Sequence, residues 1–244
     1  MTRKKESIQR QKVEAGATKA VGSSSGSEEL PWGFPVVGIG ASAGGLAAFE
    51  AFFAGMPANK DPEMAFVLVQ HLAPDHESIL TDLIRRYTRM QVFEVEDGMM
   101  VRPNCAYIIP PGHDMAFLNG SLQLLPPAEP RGQRLPIDFF FRSLAQDQRE
   151  RAVGIVLSGT GRDGALGVRA IKGEGGMVMA QSPESTEFDG MPCSAIATGL
   201  VDYVLPPAEM PARTASLSKA ARAIRVCSTC WSMPKACAWL SVMG

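Results

Sequence analysis

The sequence predicts an α/β domain, doubly wound, with a mostly parallel sheet flanked by helices in a Rossmann-like three-layer arrangement and an antiparallel β-hairpin added to it. Three observations carry the prediction. The runs PVVGIG, MAFVLVQH, AVGIVLSG and GMVMAQ are short and apolar throughout, as strands covered on both faces are. Stretches with helical spacing of apolar residues alternate with them. Glycine-rich turns, GASAGG and SGTGRDG, follow two of the runs.

Residues 1–33 are rich in Lys, Glu, Gln, Ser and Gly without hydrophobic periodicity and read as a disordered tail. PWGFP marks entry into a domain expected over 34–218. PVVGIG is its first strand. GLAAFEAFFAGM is an amphipathic helix with Leu46, Phe49, Phe53 and Met56 on its inner face. MAFVLVQH is the second strand and ESILTDLIRRY a helix. QVFEVEDG and CAYIIPPG read as strands. DMAFLNGSLQLLPP is a hairpin turning at Asn119-Gly120, a strong short-range hairpin signal. PIDFFFRSLAQDQ is a helix with Pro136 and Asp138 in its first turn. AVGIVLSG, DGALGVRAIKGEG, GMVMAQ, MPCSAIATG and LVDYVLPP continue as strand, helix, strand, short helix and strand. The pattern fades beyond about residue 218, and 219–244 reads as an irregular tail or linker.

A formal net charge of −1 leaves no electrostatic basis for gripping nucleic acid. No apolar run reaches the length of a bilayer span, and MTRKKESIQRQK has no signal-peptide core, so a cytoplasmic address without membrane insertion is expected. Five cysteines, three of them clustered as Cys227, Cys230 and Cys237, form no disulfide or zinc framework that the spacing supports.

VVGIGASAGG admits two chemistries. Gly38-x-Gly40-x-x-Ala43 matches the dinucleotide fingerprint. That mechanism needs a carboxylate at the end of the second strand. Here Gln70 and His71 stand there, and Asp61 precedes the strand. Gly40-Ala41-Ser42-Ala43-Gly44 also matches the nucleophile elbow, G-x-S-x-G. A serine at a strand's carboxyl end, followed by a helix N-terminus, meets donors suited to an oxyanion.

A serine hydroxyl needs a base, and there are three histidines. His71 ends the strand expected beside the first and emerges at the same edge as Ser42. His76 reads as a loop residue. His113, after PPG, reads as a structural or substrate-contacting residue. Asp163 in LSGTGRDGAL is the best-placed carboxylate to orient the imidazole. It fits equally the N-cap of the following helix. Asp189 in EFDGMP is a second candidate. The chain order Ser, His, Asp differs from the Ser, Asp, His of α/β-hydrolases.

GIGASAGG, LVQHLAP and LSGTGRDGA, in this order and at these distances, resemble the catalytic domain of the CheB family of chemotaxis protein-glutamate methylesterases. VEDGMMVRPNCAYIIPPGHDM, RLPIDFFFRSLAQ and AQSPESTEFDGMPCSAIATG extend the likeness over about residues 34–210. The resemblance implies hydrolysis of glutamyl γ-methyl esters on methyl-accepting chemoreceptors, and deamidation of receptor glutamines by the same acyl transfer. It implies Ser42 as nucleophile, His71 as general base and then acid, and Asp163 as the partner of His71. The Thr160 N–H corresponds to an oxyanion donor. No metal or organic cofactor is implied; chemoreceptors and other chemosensory proteins are the implied partners.

Two positions depart from the family's habit: Ala43 stands where Thr is common, and Thr160 where Met is common. Either alters rate rather than mechanism. Typical members carry a phosphorylatable receiver domain ahead of the esterase, and the expectation here is an esterase domain without one. Two other classes compete. A catalytically slow receptor-docking module fails to explain an intact Ser42, His71 and Asp163. A general small-ester hydrolase fails to explain the whole-domain likeness. Arg162 is a candidate contact for acidic residues near the substrate glutamate, whereas Arg85 and Arg86 read as solvated.

Overall fold

The computed structural model describes residues 33–57, 59–70, 79–127, 129 and 134–214. The expected tails, apart from Gly33, and the expected roles of His71, His76, Cys227, Cys230 and Cys237 lie outside the described residues.

Seven parallel strands form the main sheet. Their spatial order is β10 (Tyr203–Leu205), β9 (Met177–Gln181), β8 (Ala152–Val156), β1 (Val36–Ala41), β2 (Ala65–Gln70), β5 (Cys105–Ile108) and β3 (Gln91–Glu94). From β1 the chain winds outward to β2, and it later returns to β8 on the other side. The carboxyl end of β1 is thus a topological switch point, where sheets of this kind hold their ligands.

Alternation along the strands sorts side chains to two buried clusters. Val37, Ile39 and Ala41 of β1 face α1 (Gly45–Ala54) and α2 (Ile79–Tyr87), with Phe49, Phe52, Phe53 and Ile84 among that cluster. Val36 of β1, with Val67 and Val69 of β2, joins α3 (Pro136–Gln148) and α4 (Ala165–Gly173) in the other. The inner face of α1 differs from expectation. Phe52 is buried whereas Leu46 is 40% exposed. The strand ends just before this first turn of the helix, so Leu46 has no sheet beneath it.

The glycines of β1 serve packing. A Cβ on Gly38 would stand 3.0 Å from both Phe140 and Phe141, and one on Gly40 would strike Ile137 at 2.4 Å. Opposite them, a Cβ on Gly167 of α4 would meet Phe141 at 2.4 Å. The spacing that imitates a nucleotide fingerprint is the bed on which α3 lies.

The hairpin is a separate three-stranded antiparallel sheet, β4 (Met99–Met100), β7 (Ser121–Leu125) and β6 (Asp114–Leu118). Asn119 (φ 49°) and Gly120 (φ 76°) make its turn, both left-handed as a two-residue hairpin connection requires. Ser143 Oγ of α3 accepts the Phe117 N–H at 3.0 Å, tying this sheet to the helix. The helix α5 (Gly190–Ile196) completes the α3 side. Single turns of 3-10 helix at Arg149–Arg151, Pro183–Ser185 and Pro207–Glu209 carry no apolar period that sequence reading could detect.

Candidate active site

Ser42 follows the last residue of the central strand. Its N–H donates to Ser158 O (2.9 Å), and its carbonyl accepts from Gly45 N (2.9 Å), closing the turn into α1. The left-handed residue of this turn is Gly44 (φ 72°), not the serine. The turn therefore shares the G-x-S-x-G spacing without a strained nucleophile. Gly44 is doubly constrained, because a Cβ there would stand 2.5 Å from Ser158 Oγ. As N-cap of α1 it has no side chain to cap the helix, so the first-turn N–H groups and the positive end of the helix dipole face the Ser42 edge.

A network that sequence reading missed holds this turn. Ser158, buried, donates from Oγ to Ala43 O (2.7 Å) and exchanges a hydrogen bond with Thr186 Oγ1 (2.7 Å). Its N–H donates to Oε1 of buried Gln181 (2.8 Å), whose Nε2 donates to Ser185 (3.1 Å). The signal was present in LSGT and AQSPES, but side-chain partners separated by 23 to 115 residues leave no local period.

The loop after β8 presses on the serine. A Cβ on Gly159 would come within 3.0 Å of Ser42 Cβ and 2.1 Å of Met191 Sδ, so only glycine fits between them. The Gly159 N–H is taken by Phe188 O (2.9 Å). Thr160 and Gly161 follow, exposed, and no acceptor engages the Thr160 N–H among the described residues.

Asp163 is 2% exposed and is not the N-cap of its own helix; Gly164 is. Its carboxylate accepts the N–H groups of Ile137 (3.0 Å), Asp138 (2.8 Å) and Gly164 (2.9 Å). The first two are the second and third residues of α3, the donors an N-cap side chain ordinarily serves. The N-cap position of α3 is Leu135, which makes no side-chain cap. Asp163 thus caps a helix 25 residues away in sequence. Ile137, bonded to Asp163, lies against Gly40, two residues before Ser42.

The other candidates sit elsewhere. His113 is exposed, and its Nδ1 bonds Pro111 O of its own turn (2.9 Å), a local structural role. Asp189 is the N-cap residue of α5, without a side-chain cap bond. Asp61 and Arg86, with Lys60 and Arg89, line a cavity of about 650 Å³ at the amino edge of the sheet, opposite Ser42. Arg85 pairs with Asp82 on the surface of α2 (3.3 Å). Arg162 is exposed beside Thr160. A groove of about 490 Å³ adjoins the Ser42 turn, lined by Gly44, Ala47 and Ala51 on one wall and by Glu184, Thr186 and Phe188 on the other.

Comparison with known proteins covers this framework. The family model for CheB methylesterase matches residues 37–214. The catalytic domain of the CheB methylesterase of Thermotoga maritima superposes with a TM-score of 0.69 at 30% identity, over 75% of this chain and 98% of that one. A protein-glutamate methylesterase/protein-glutamine glutaminase of Myxococcus xanthus is 36% identical over 77% of this chain and 55% of its own length. An uncharacterized 104.1 kDa protein of Rhodobacter capsulatus is 46% identical over 52% of this chain and 13% of its own. The chain thus spans about half the length of the methylesterase relative and a small part of the larger protein. Because the match runs from β1 through β10 and takes in both loops that meet at Ser42, the chain belongs to the CheB methylesterase family.

Proposed function

We propose that this chain is a protein-glutamate methylesterase that hydrolyses glutamyl γ-methyl esters of chemoreceptors through Ser42, His71 and Asp163. Deamidation of receptor glutamines proceeds by the same route. The observation that carries the reading is Ser42 at the carboxyl end of the central strand, with the Gly159–Gly161 loop pressed against its Cβ. Strand alternation supports the rest. Gly38 and Gly40 of β1 and Val67 and Val69 of β2 face α3, and Asp163 is bonded to the first turn of α3. Counted on by one step, the same alternation assigns position 42 to that face. β2 ends at Gln70, paired with Ala41; in sequence the two stand one residue before His71 and Ser42.

In this mechanism Ser42 Oγ attacks the ester carbonyl as His71 takes its proton. Asp163, held by three main-chain donors, orients the imidazole and stabilises its charged form. The Thr160 N–H donates to the oxyanion. Methanol leaves with the proton from His71. Water then enters by the same base and releases the glutamate. The name of the Myxococcus relative, which joins methylesterase and glutaminase, supports one site for both leaving groups. Catalysis is placed in the cytoplasm, on the signalling helices of the receptors. Among the described residues no helix is long and apolar enough to cross a membrane.

The test is methanol release from methyl-labelled receptor membranes. Wild type releases methanol, and Ser42→Ala falls by at least about a thousandfold, as loss of a triad nucleophile does. No release by folded wild type from several receptors would sink the proposal in favour of a docking module.

A further inference from the structure

Asp138 lies in the first turn of α3 and is 1% exposed. Its main chain serves Asp163, donating to Oδ1 at 2.8 Å. Its side chain serves the opposite helix: Oδ1 accepts the N–H of Gly167, in the first turn of α4, at 2.6 Å. The two carboxyls therefore work in exchange. Asp163, from the segment leading into α4, caps α3; Asp138, from α3, caps α4. Their crossing point is close-packed, because Gly167 is also where α4 leaves no room for a Cβ against Phe141.

The remaining oxygen of Asp138, Oδ2, is buried with no hydrogen-bond partner among the described residues. A bare carboxylate oxygen in that position is costly, and a second negative charge beside Asp163 is costlier still. Burial pushes the Asp138 carboxyl up from the usual carboxylate range; the main-chain N–H groups of Gly167, Leu166 and Gly164 oppose this, and the Asp163 charge adds to it. From the next turn of α3, Arg142 reaches the Asp138 carbonyl (3.3 Å) and not its carboxyl.

We propose that Asp138 is a positioning residue of the active site: its carboxyl clamps the N-termini of α3 and α4 together and keeps the α3 donors trained on Asp163. This rests on the reading of Asp163 as the group that orients the base. It adds a residue that touches no substrate.

The experiment compares wild type with Asp138→Ala, Asp138→Asn and Asp163→Asn in the full chain. It measures kcat and KM for methanol release from labelled receptor membranes, the pH dependence of kcat/KM, and thermal melting. Asp138→Ala loses about a hundredfold in kcat, the cost of a misplaced catalytic group. Its KM holds, and the acidic limb of its pH profile moves. Asp138→Asn rescues the rate and leaves the acidic limb at its wild-type position, because the carboxamide oxygen still accepts the Gly167 N–H. A wild-type rate and profile in Asp138→Ala, with Asp163→Asn impaired, overturns the positioning role. An Asp138→Asn variant as slow as the alanine variant, or with its acidic limb displaced, shows that an acceptor at this position does not maintain the clamp and overturns the proposal even where Asp138→Ala fails to fold. Full activity in Asp163→Asn removes the orienting group itself, and identifies that as the cause by a variant that leaves Asp138 intact.

Discussion

On the proposed mechanism Asp163 carries two burdens, and a single substitution separates them from those of an ordinary orienting carboxylate. Both of its oxygens accept main-chain N–H groups, Oδ1 from Asp138 and Gly164 and Oδ2 from Ile137. A carboxamide cannot serve all three, because its NH2 group must face at least one N–H. Asp163→Asn is therefore expected to lose about 10⁴ in kcat from a misdirected base. It also loses about 1–3 kcal/mol of stability from an unpaired buried donor, read from urea unfolding. A fall in rate with unchanged stability would show that the capping bonds carry no weight. Asp138 adds a dependence on pH. Its folded carboxyl is raised above the ordinary 3.8, so the folded state holds the proton more tightly than the unfolded one. The stability this confers is full below that ordinary value and is lost as pH rises through the folded one. Urea midpoints of wild type and Asp138→Asn should therefore diverge with rising pH, wild type falling relative to the variant. Parallel curves from acid to neutral pH would refute the shift.

At the scale of elements, the Ser42 turn owes its shape to neighbours that are distant in sequence. Ser158 Oγ holds Ala43 O while Gln181 holds the Ser158 N–H. Ser158→Ala frees the peptide that follows the nucleophile. A drop of roughly tenfold or more in kcat is expected, with KM little changed. Gln181→Leu leaves the buried Ser158 N–H unpaired, at about 1–3 kcal/mol of stability. Wild-type kcat in Ser158→Ala would show that the turn holds itself. This network also marks the boundary of what the sequence discloses. The four short apolar runs, the Asn119-Gly120 turn and α3 from Pro136 to Gln148 follow from local pattern and turn chemistry, and the structure has them. Ser42 and the loop at Thr160 were legible because glycines must crowd where two turns meet. The double use of Asp163 was not legible, since its own helix start and a remote one ask for the same residue. The exposed Leu46 was misread because helical period alone does not say where the underlying sheet stops.

At the scale of the domain, the described residues at the carboxyl edge of the sheet include a row of exposed apolar side chains. Adjacent strands β1, β8 and β9 each lead at their carboxyl ends to an exposed apolar side chain: Leu46 (40% exposed), Leu166 (55%) and Phe188 (39%). With exposed Arg162 they border the edge where Ser42 sits. This is the surface on which a receptor helix would bring a methyl ester to the serine, and a small soluble ester would need none of it. Leu166 isolates the point, because it lies in the first turn of α4, a helix with no acidic residue there. An aspartate at that position complements the helix dipole, by about 0.3–1 kcal/mol, so Leu166→Asp should melt no lower than wild type. It should nevertheless lose about tenfold in kcat/KM on receptor membranes, near 1.4 kcal/mol of lost contact and added repulsion, and keep its rate on a small methyl ester. An equal loss on both substrates would place Leu166 in the chemistry. No loss on either would take the receptor off this part of the edge and return the small-ester hydrolase to contention.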